Sequence, residues 1–258
     1  MKVPSNRKIK TEHPRLIRIL AVLFWLLVWQ AAAMILNRPL LLSSPLRVAE
    51  RLFALLGEGD FYRALGFSLR RIALGFALGL LCGTLLAVLA ARIPLLEVLL
   101  RPLMATVKSV PVASFIILAL LWLSARQLSA FISFLMVLPI IWTSVQEGLN
   151  ATDARLIEMA NAYRLTAFQK ARYLYAPSVL PHFSAGCVTG LGFAWKSGIA
   201  AEVIAKPDFA IGSSLQDAKI YLETPTLFAW TALVILLSMV LERVLVIGMR
   251  KAGGGSKR

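Results

Sequence analysis

Stretches of apolar residues long enough to cross a lipid bilayer recur from one end of this sequence to the other. A crossing helix needs about 20 predominantly apolar residues. The runs at 16–36, 69–90, 95–123, 128–145, 182–204 and 226–247 come near or above that length. A soluble single domain would not tolerate this: 59% of the 258 residues are hydrophobic and mean hydropathy is +0.75. The chain therefore reads as an all-α membrane protein with six transmembrane helices, which returns both termini to one side.

A formal charge of +15 would suit a nucleic-acid partner. Lys and Arg gather at the span ends, however, and form no basic groove interleaved with aromatics, so no nucleic acid is expected. Retention of Lys and Arg in cytoplasmic loops explains the excess more simply. Eighteen of the 28 fall in segments assigned to the inside and nine in segments assigned to the outside, with Lys196 left within a span. That bias places both termini and the loop at 147–181 in the cytoplasm. Residues 1–15 then form a basic cytoplasmic tail, 16–250 the transmembrane domain and 251–258 a flexible Gly-rich tail. A cleaved signal peptide is not expected, because the run at 16–36 is too long for one.

Cys82 and Cys187 fall inside apolar spans and read as packing residues, with no disulfide framework or metal site. His13 and His182 stand far apart in sequence and join no ligand or nucleophile pattern, so no catalytic residue is expected. Ser44-Pro45 opens a short amphipathic helix over 44–56 on the outer surface, broken by Gly57 and Gly59. Gly75, Gly79 and Gly83 are spaced four apart, which lets helices approach closely in lipid; packing within the chain is favoured over a dimer face. Pro111, in the run SVPVAS at 109–114, interrupts a helix expected to continue to residue 123, since proline frees a carbonyl and kinks a helix. Residues 206–223 are polar enough for an external loop or a re-entrant piece.

The longest polar interruption, DARLIEMANAYRLTAFQKARYLYAPSVLP at 153–181, must lie outside the bilayer. Thr152 and Asp153 can cap a helix over its small, strongly helix-forming residues. The run LTAFQKARYLY reads as a second amphipathic piece, with Leu165, Phe168, Tyr173 and Tyr175 available for contact. Pro177 and Pro181 would set the re-entry into the next span. The segment resembles the EAA loop of permease subunits in binding-protein-dependent ABC importers: Glu158-Met159-Ala160 opens it and Leu174-Tyr175-Ala176-Pro177 closes it at the right distance. Met159 replaces an Ala, Ala176 a Leu, and Arg164 stands where that family has Gly. A local difference in the turn is expected at Arg164, because non-Gly residues with positive φ are uncommon. Gly190 to Ala205 and the run GSSLQDAKIYLETPTLFAW after it resemble the last third of nitrate, taurine and alkanesulfonate permeases. The Ser44-Pro45 region and SLRRIALGFALG resemble their first third.

This resemblance implies a type I ABC importer permease (MetI-like) fold with a cytoplasmic coupling helix that fits a cleft on an ATPase. Carried over, that role falls on Glu158, Met159, Ala160, Asn161, Ala162, Tyr163, Arg164, Leu165, Thr166 and Phe168. It also implies a second permease copy forming a homodimeric pore in the bacterial inner membrane. The implied partners are two cytoplasmic ATPases, which carry the ATP and Mg that this chain does not bind, and an extracytoplasmic solute-binding protein. A small anion such as a sulfonate or nitrate, or a vitamin precursor, is the expected cargo.

Lys196 is a candidate for the translocation pathway, since an ammonium inside an apolar helix is costly. It could attract an anionic substrate, pair with a carboxylate on another helix, or snorkel to the surface. Glu202, six residues on, is a poor partner within the same helix and is a candidate for an outer gate or a binding-protein contact. Pro111 is a third pathway candidate. Gly190 to Ser197 mimics a phosphate loop but has Trp195 at the second Gly and no preceding strand. The competing reading, an ion-coupled secondary transporter, is weakened by scarce buried acids and the lack of an inverted repeat.

Overall fold

The computed structural model describes residues 14–252, and among these every regular element is helical. The expected tail at 1–15 lies outside them up to residue 13, and the tail at 251–258 from residue 253. In order, the chain forms α1 Pro14–Leu36, α2 Pro45–Leu55, α3 Gly59–Arg92, α4 Pro94–Ser109, α5 Val112–Ala119 and α6 Ala125–Asn150. It continues through α7 Ala154–Ala162, α8 Ala167–Lys170, a π-helical turn at Ala171–Tyr175, α9 Ala176–Ala205, α10 Ile211–Ile220 and α11 Thr224–Ala252.

The centre of the bundle is α6, which packs most extensively against α9 and α3. Small residues permit that approach. A Cβ on Gly79 would lie 2.6 Å from the Cβ of Val137, and one on Gly83 would lie 2.9 Å from the Leu138 carbonyl. The Gly75, Gly79, Gly83 stripe is thus a seat for α6 within the chain. Across the other seam, Ser133 Oγ donates to the Ala194 carbonyl at 3.0 Å. Trp195, the residue that spoils the phosphate-loop pattern, is buried and donates from Nε1 to the Val234 carbonyl on α11 at 3.1 Å.

Among the described residues, four helices are long and apolar enough to cross a membrane: α1, α3, α6 and α11. The bent pair α4–α5 raises the number to five. The remaining expected span, at 182–204, falls in α9, which is 30 residues long but weaker in apolar content. Buried between α6, α3 and α11, it is built from Gly, Ala and Ser where a lipid-facing helix would use larger apolar residues. It also starts at Ala176, earlier than expected, and Pro177 and Pro181 lie within it. Pro177 falls in the first turn, where its missing N–H is not needed, and the wider π-helical turn before it carries the chain in without a break. Likewise α3 begins ten residues before the expected span.

The break at Pro111 is far sharper than the expected kink. The axes of α4 and α5 differ by 102°, and α5 ends at Ala119. Val110 and Pro111 both adopt extended ψ, near 131–133°, as the residue before a proline prefers. By contrast, α2 forms as expected: Ser44 caps it, Pro45 opens it and Arg51 fastens it to α11 through Thr226 Oγ1 at 2.9 Å.

Candidate coupling surface and translocation face

Between the end of α6 and the π-helical turn, the loop expected at 147–181 forms two short helices, α7 and α8, joined by a tight turn. Asp153 caps α7, its Oδ1 accepting from the Arg155 N–H at 2.9 Å. At the other end, the Leu165 N–H reaches the Ala160 carbonyl at 2.9 Å and the Arg164 N–H reaches that of Asn161 at 3.0 Å. This pair of bonds is a Schellman motif, which requires a left-handed residue between helix and exit. Arg164 fills that position with φ of 52°. The turn is therefore kept although the glycine is not, at the cost a side chain imposes there. Thr166 then starts α8 with a capping box: its hydroxyl accepts from the Gln169 N–H and Gln169 Oε1 accepts from the Thr166 N–H at 2.8 Å.

The result is an exposed surface rich in large apolar groups. Tyr163 is 77% exposed and Phe168 73%, with Leu156, Met159 and Tyr173 also exposed beside them. Glu158, Asn161, Ala162, Arg164 and Thr166 share that surface, and Leu165 is half-buried at its edge. Ala160 is different: it is completely buried, so it packs α7 down and offers nothing to a partner. Lys170 Nζ donates to Asn161 Oδ1 at 2.6 Å, tying the second helix to the first.

The three pathway candidates separate, with Lys196 and Glu202 on α9 and Pro111 at the α4–α5 bend. Lys196 is exposed and forms no ion pair among the described residues. At 100° per residue it shares a stripe with Thr189 and His182, seven and fourteen positions back. Beside that stripe a groove of about 250 Å³ is lined by Lys108, Thr143, Ser144, Glu147, His182 and Thr189. Lys108 Nζ donates to Thr143 Oγ1 at 2.6 Å, joining α4 to α6. His182 Nδ1 lies 3.2 Å from the Ser178 carbonyl, which can only accept, so Nδ1 carries the proton and Nε2 is left to the groove. Pro111 is exposed at the bend, three residues beyond Lys108.

Glu202 departs from the expected gate position. It is fully buried, and its Oε2 accepts from Ser68 Oγ at 2.7 Å and from the Gly212 N–H at 3.3 Å. Ser68 Oγ accepts in turn from the Ile211 N–H at 3.0 Å, while Arg71 approaches the other oxygen at 3.9 Å. The carboxylate thus caps the start of α10 from inside and pins it to α3 and α9. Just beyond, Lys206 pairs with Asp217 at 2.5 Å, and that hydrogen bond holds its ammonium above the ordinary range.

Residues 60–251 match the family described as the binding-protein-dependent transport system inner membrane component. The chain belongs to this family. The taurine transport system permease protein of Escherichia coli is 27% identical over 93% of this chain and 87% of its own length. The riboflavin transport system permease protein of Chloroflexus aurantiacus is 29% identical over 91% of each. The crystal structure of an amino acid ABC transporter with histidines superposes with a TM-score of 0.62, covering 74% of this chain and 94% of that one. At 14% identity it supports the fold alone.

The chain is thus the permease subunit of an ABC importer and a component of the inner membrane, with the fold expected from the resemblance. Membership implies an ATPase partner and a solute-binding partner. Lys108, Thr143, Glu147, His182 and Thr189 escaped the sequence reading. The recurrence of His182, Thr189 and Lys196 every seven residues along one helix was the available signal. The contribution of α4 and α6 depends on the bend at Pro111 and on tertiary packing.

Proposed function

We propose that the permease couples to its ATPase through the α7–α8 surface and moves a small anion along the Lys108–His182–Lys196 face. The observation that carries the first part is the apolar surface around Tyr163 and Phe168 on a loop rigidly capped at both ends. Exposed aromatic groups on a structured, otherwise polar loop mark a protein contact. Family membership supplies the partner that fits it. Glu158, Met159, Asn161, Ala162, Tyr163, Arg164, Thr166 and Phe168 would meet the ATPase directly, with Leu165 at the edge and Ala160 as the seat beneath. In this reading the loop and both termini are cytoplasmic, ATP and Mg stay on the ATPase, and a solute-binding protein outside delivers the cargo.

The polar groove supports the second part. Lysine, histidine and glutamate side chains do not face hydrocarbon without cost, so the face of α4, α6 and α9 that carries them is suited to water and substrate. A second copy of the permease would enclose it, giving a homodimeric pore. Taurine carries a sulfonate, and permeases for taurine and for bicarbonate are among the relatives. Lys108 and Lys196 suit such anions. The test is uptake into proteoliposomes holding the permease, its ATPase and its binding protein. Lys196→Gln should cut uptake of the anion about tenfold, as loss of a charge-assisted contact predicts, with ATPase retention unchanged. Undiminished uptake in that variant would remove Lys196 from the pathway.

A further inference from the structure

One large concavity takes no part in the proposed coupling surface or translocation face. It has a volume of about 720 Å³ and lies where α3 and α6 end, beneath α7 and beside the entry into α9. Val88, Leu149, Ile157 and Val179 make its walls apolar. Arg92 and Lys170 stand in its lining, which contains no carboxylate among the described residues. Arg92 is the final residue of α3, so the cationic rim sits where a membrane span passes from hydrocarbon to headgroups. It is exposed and has no ion-pair partner among the described residues.

An apolar chamber with two cations at its rim, set at that depth, matches an amphiphile with an anionic head. We propose that this cavity binds an anionic phospholipid, with its phosphate between Arg92 and Lys170 and an acyl chain along Val88 and Val179. Basic pockets between membrane helices at the headgroup level are suited to such lipids. Ile157 belongs to α7 and Lys170 to α8, so the lipid would sit as a wedge between the coupling helices and the bundle. That consequence, unlike the binding itself, rests on the proposed coupling role.

The test uses the full-length permease purified with its ATPase from nanodiscs of mixed phosphatidylglycerol and phosphatidylcholine, with retained lipid counted by native mass spectrometry. Wild type should keep phosphatidylglycerol in preference to phosphatidylcholine. Arg92→Gln with Lys170→Gln should weaken retention about thirtyfold, from the attraction of two cations near a charged headgroup. Lys170 also holds Asn161, so Val88→Trp serves as the second variant: it fills the apolar wall, keeps both cations and should expel the lipid as well. Equal retention of the two lipids by wild type would overturn the proposal, as would unchanged phosphatidylglycerol in both variants. Full competition by inorganic phosphate would also overturn it, by reducing the site to an ion contact. ATPase recovery from the same samples separates the two readings. A wild type without ATPase undermines the coupling role, whereas ATPase bound without any lipid preference rejects the lipid site alone.

Discussion

At the α10 end of the bundle a carboxylate is hidden, while at the α7 end five large apolar side chains are left in the open. Glu202 is enclosed by Ser68, Arg71 and the first residues of α10. Leu156, Met159, Tyr163, Phe168 and Tyr173 are all at least 46% exposed. Both arrangements invert the ordinary preference for apolar groups inside and charges outside. The first is met within the chain at one oxygen, which accepts two hydrogen bonds, while the other accepts none and has Arg71 at 3.9 Å; a buried charge is tolerable when paired and hydrogen-bonded. The second has no counterpart among the described residues. On the proposed coupling role, the hidden end is a structural anchor and the open end is the surface that the ATPase would cover.

The two ends are joined by the α3–α6–α9 packing, so breaking that spine should give the largest effect. Gly79→Leu drives a side chain into Val137 on α6 and should lower stability by about 3 kcal/mol or more, seen as loss of the monodisperse peak in detergent. Removing the hidden carboxylate comes next. Glu202→Ala strands the Ser68 hydroxyl and the Gly212 N–H and should cost about 2–3 kcal/mol, read as a lower unfolding midpoint with ATPase binding retained in the folded fraction. A smaller change of opposite sign is expected at the α7 end. Arg164→Gly relieves the left-handed strain and should stabilise by about 0.5–1 kcal/mol; a lower midpoint would mean that the arginine side chain contributes more than its backbone costs. The smallest effect sharpens the contrast. Tyr163→Ala should change permease stability by less than about 0.5 kcal/mol, because that ring is 77% exposed.

The helices, the capped turn between α7 and α8 and the small-residue seam were legible because each is written in local pattern: length of apolar run, capping residues and glycines at one spacing. Arg164 shows the limit of such reading. A non-glycine residue signalled an altered turn, yet the Schellman bonds to Ala160 and Asn161 hold it left-handed. Ala160 and Glu202 were misplaced for a related reason. Whether a residue on a short helix faces its own bundle or a partner depends on tertiary packing, and Glu202 is drawn inward by groups 134 and 10 residues away. The weak apolar signal of α9 followed from its burial, and its burial is what the small residues serve.

The coupling role is tested most directly by asking whether the α7–α8 surface holds the ATPase. Tagged permease should be recovered from gently solubilised native membranes, as wild type, Glu158→Arg and Tyr163→Ala, with bound ATPase quantified in each. The ATPase should accompany wild type and fall to background in Glu158→Arg, with a clear reduction in Tyr163→Ala, while all three permeases remain folded. Recovery of the ATPase at wild-type levels by both folded variants would contradict the account and place the coupling contact elsewhere on the permease.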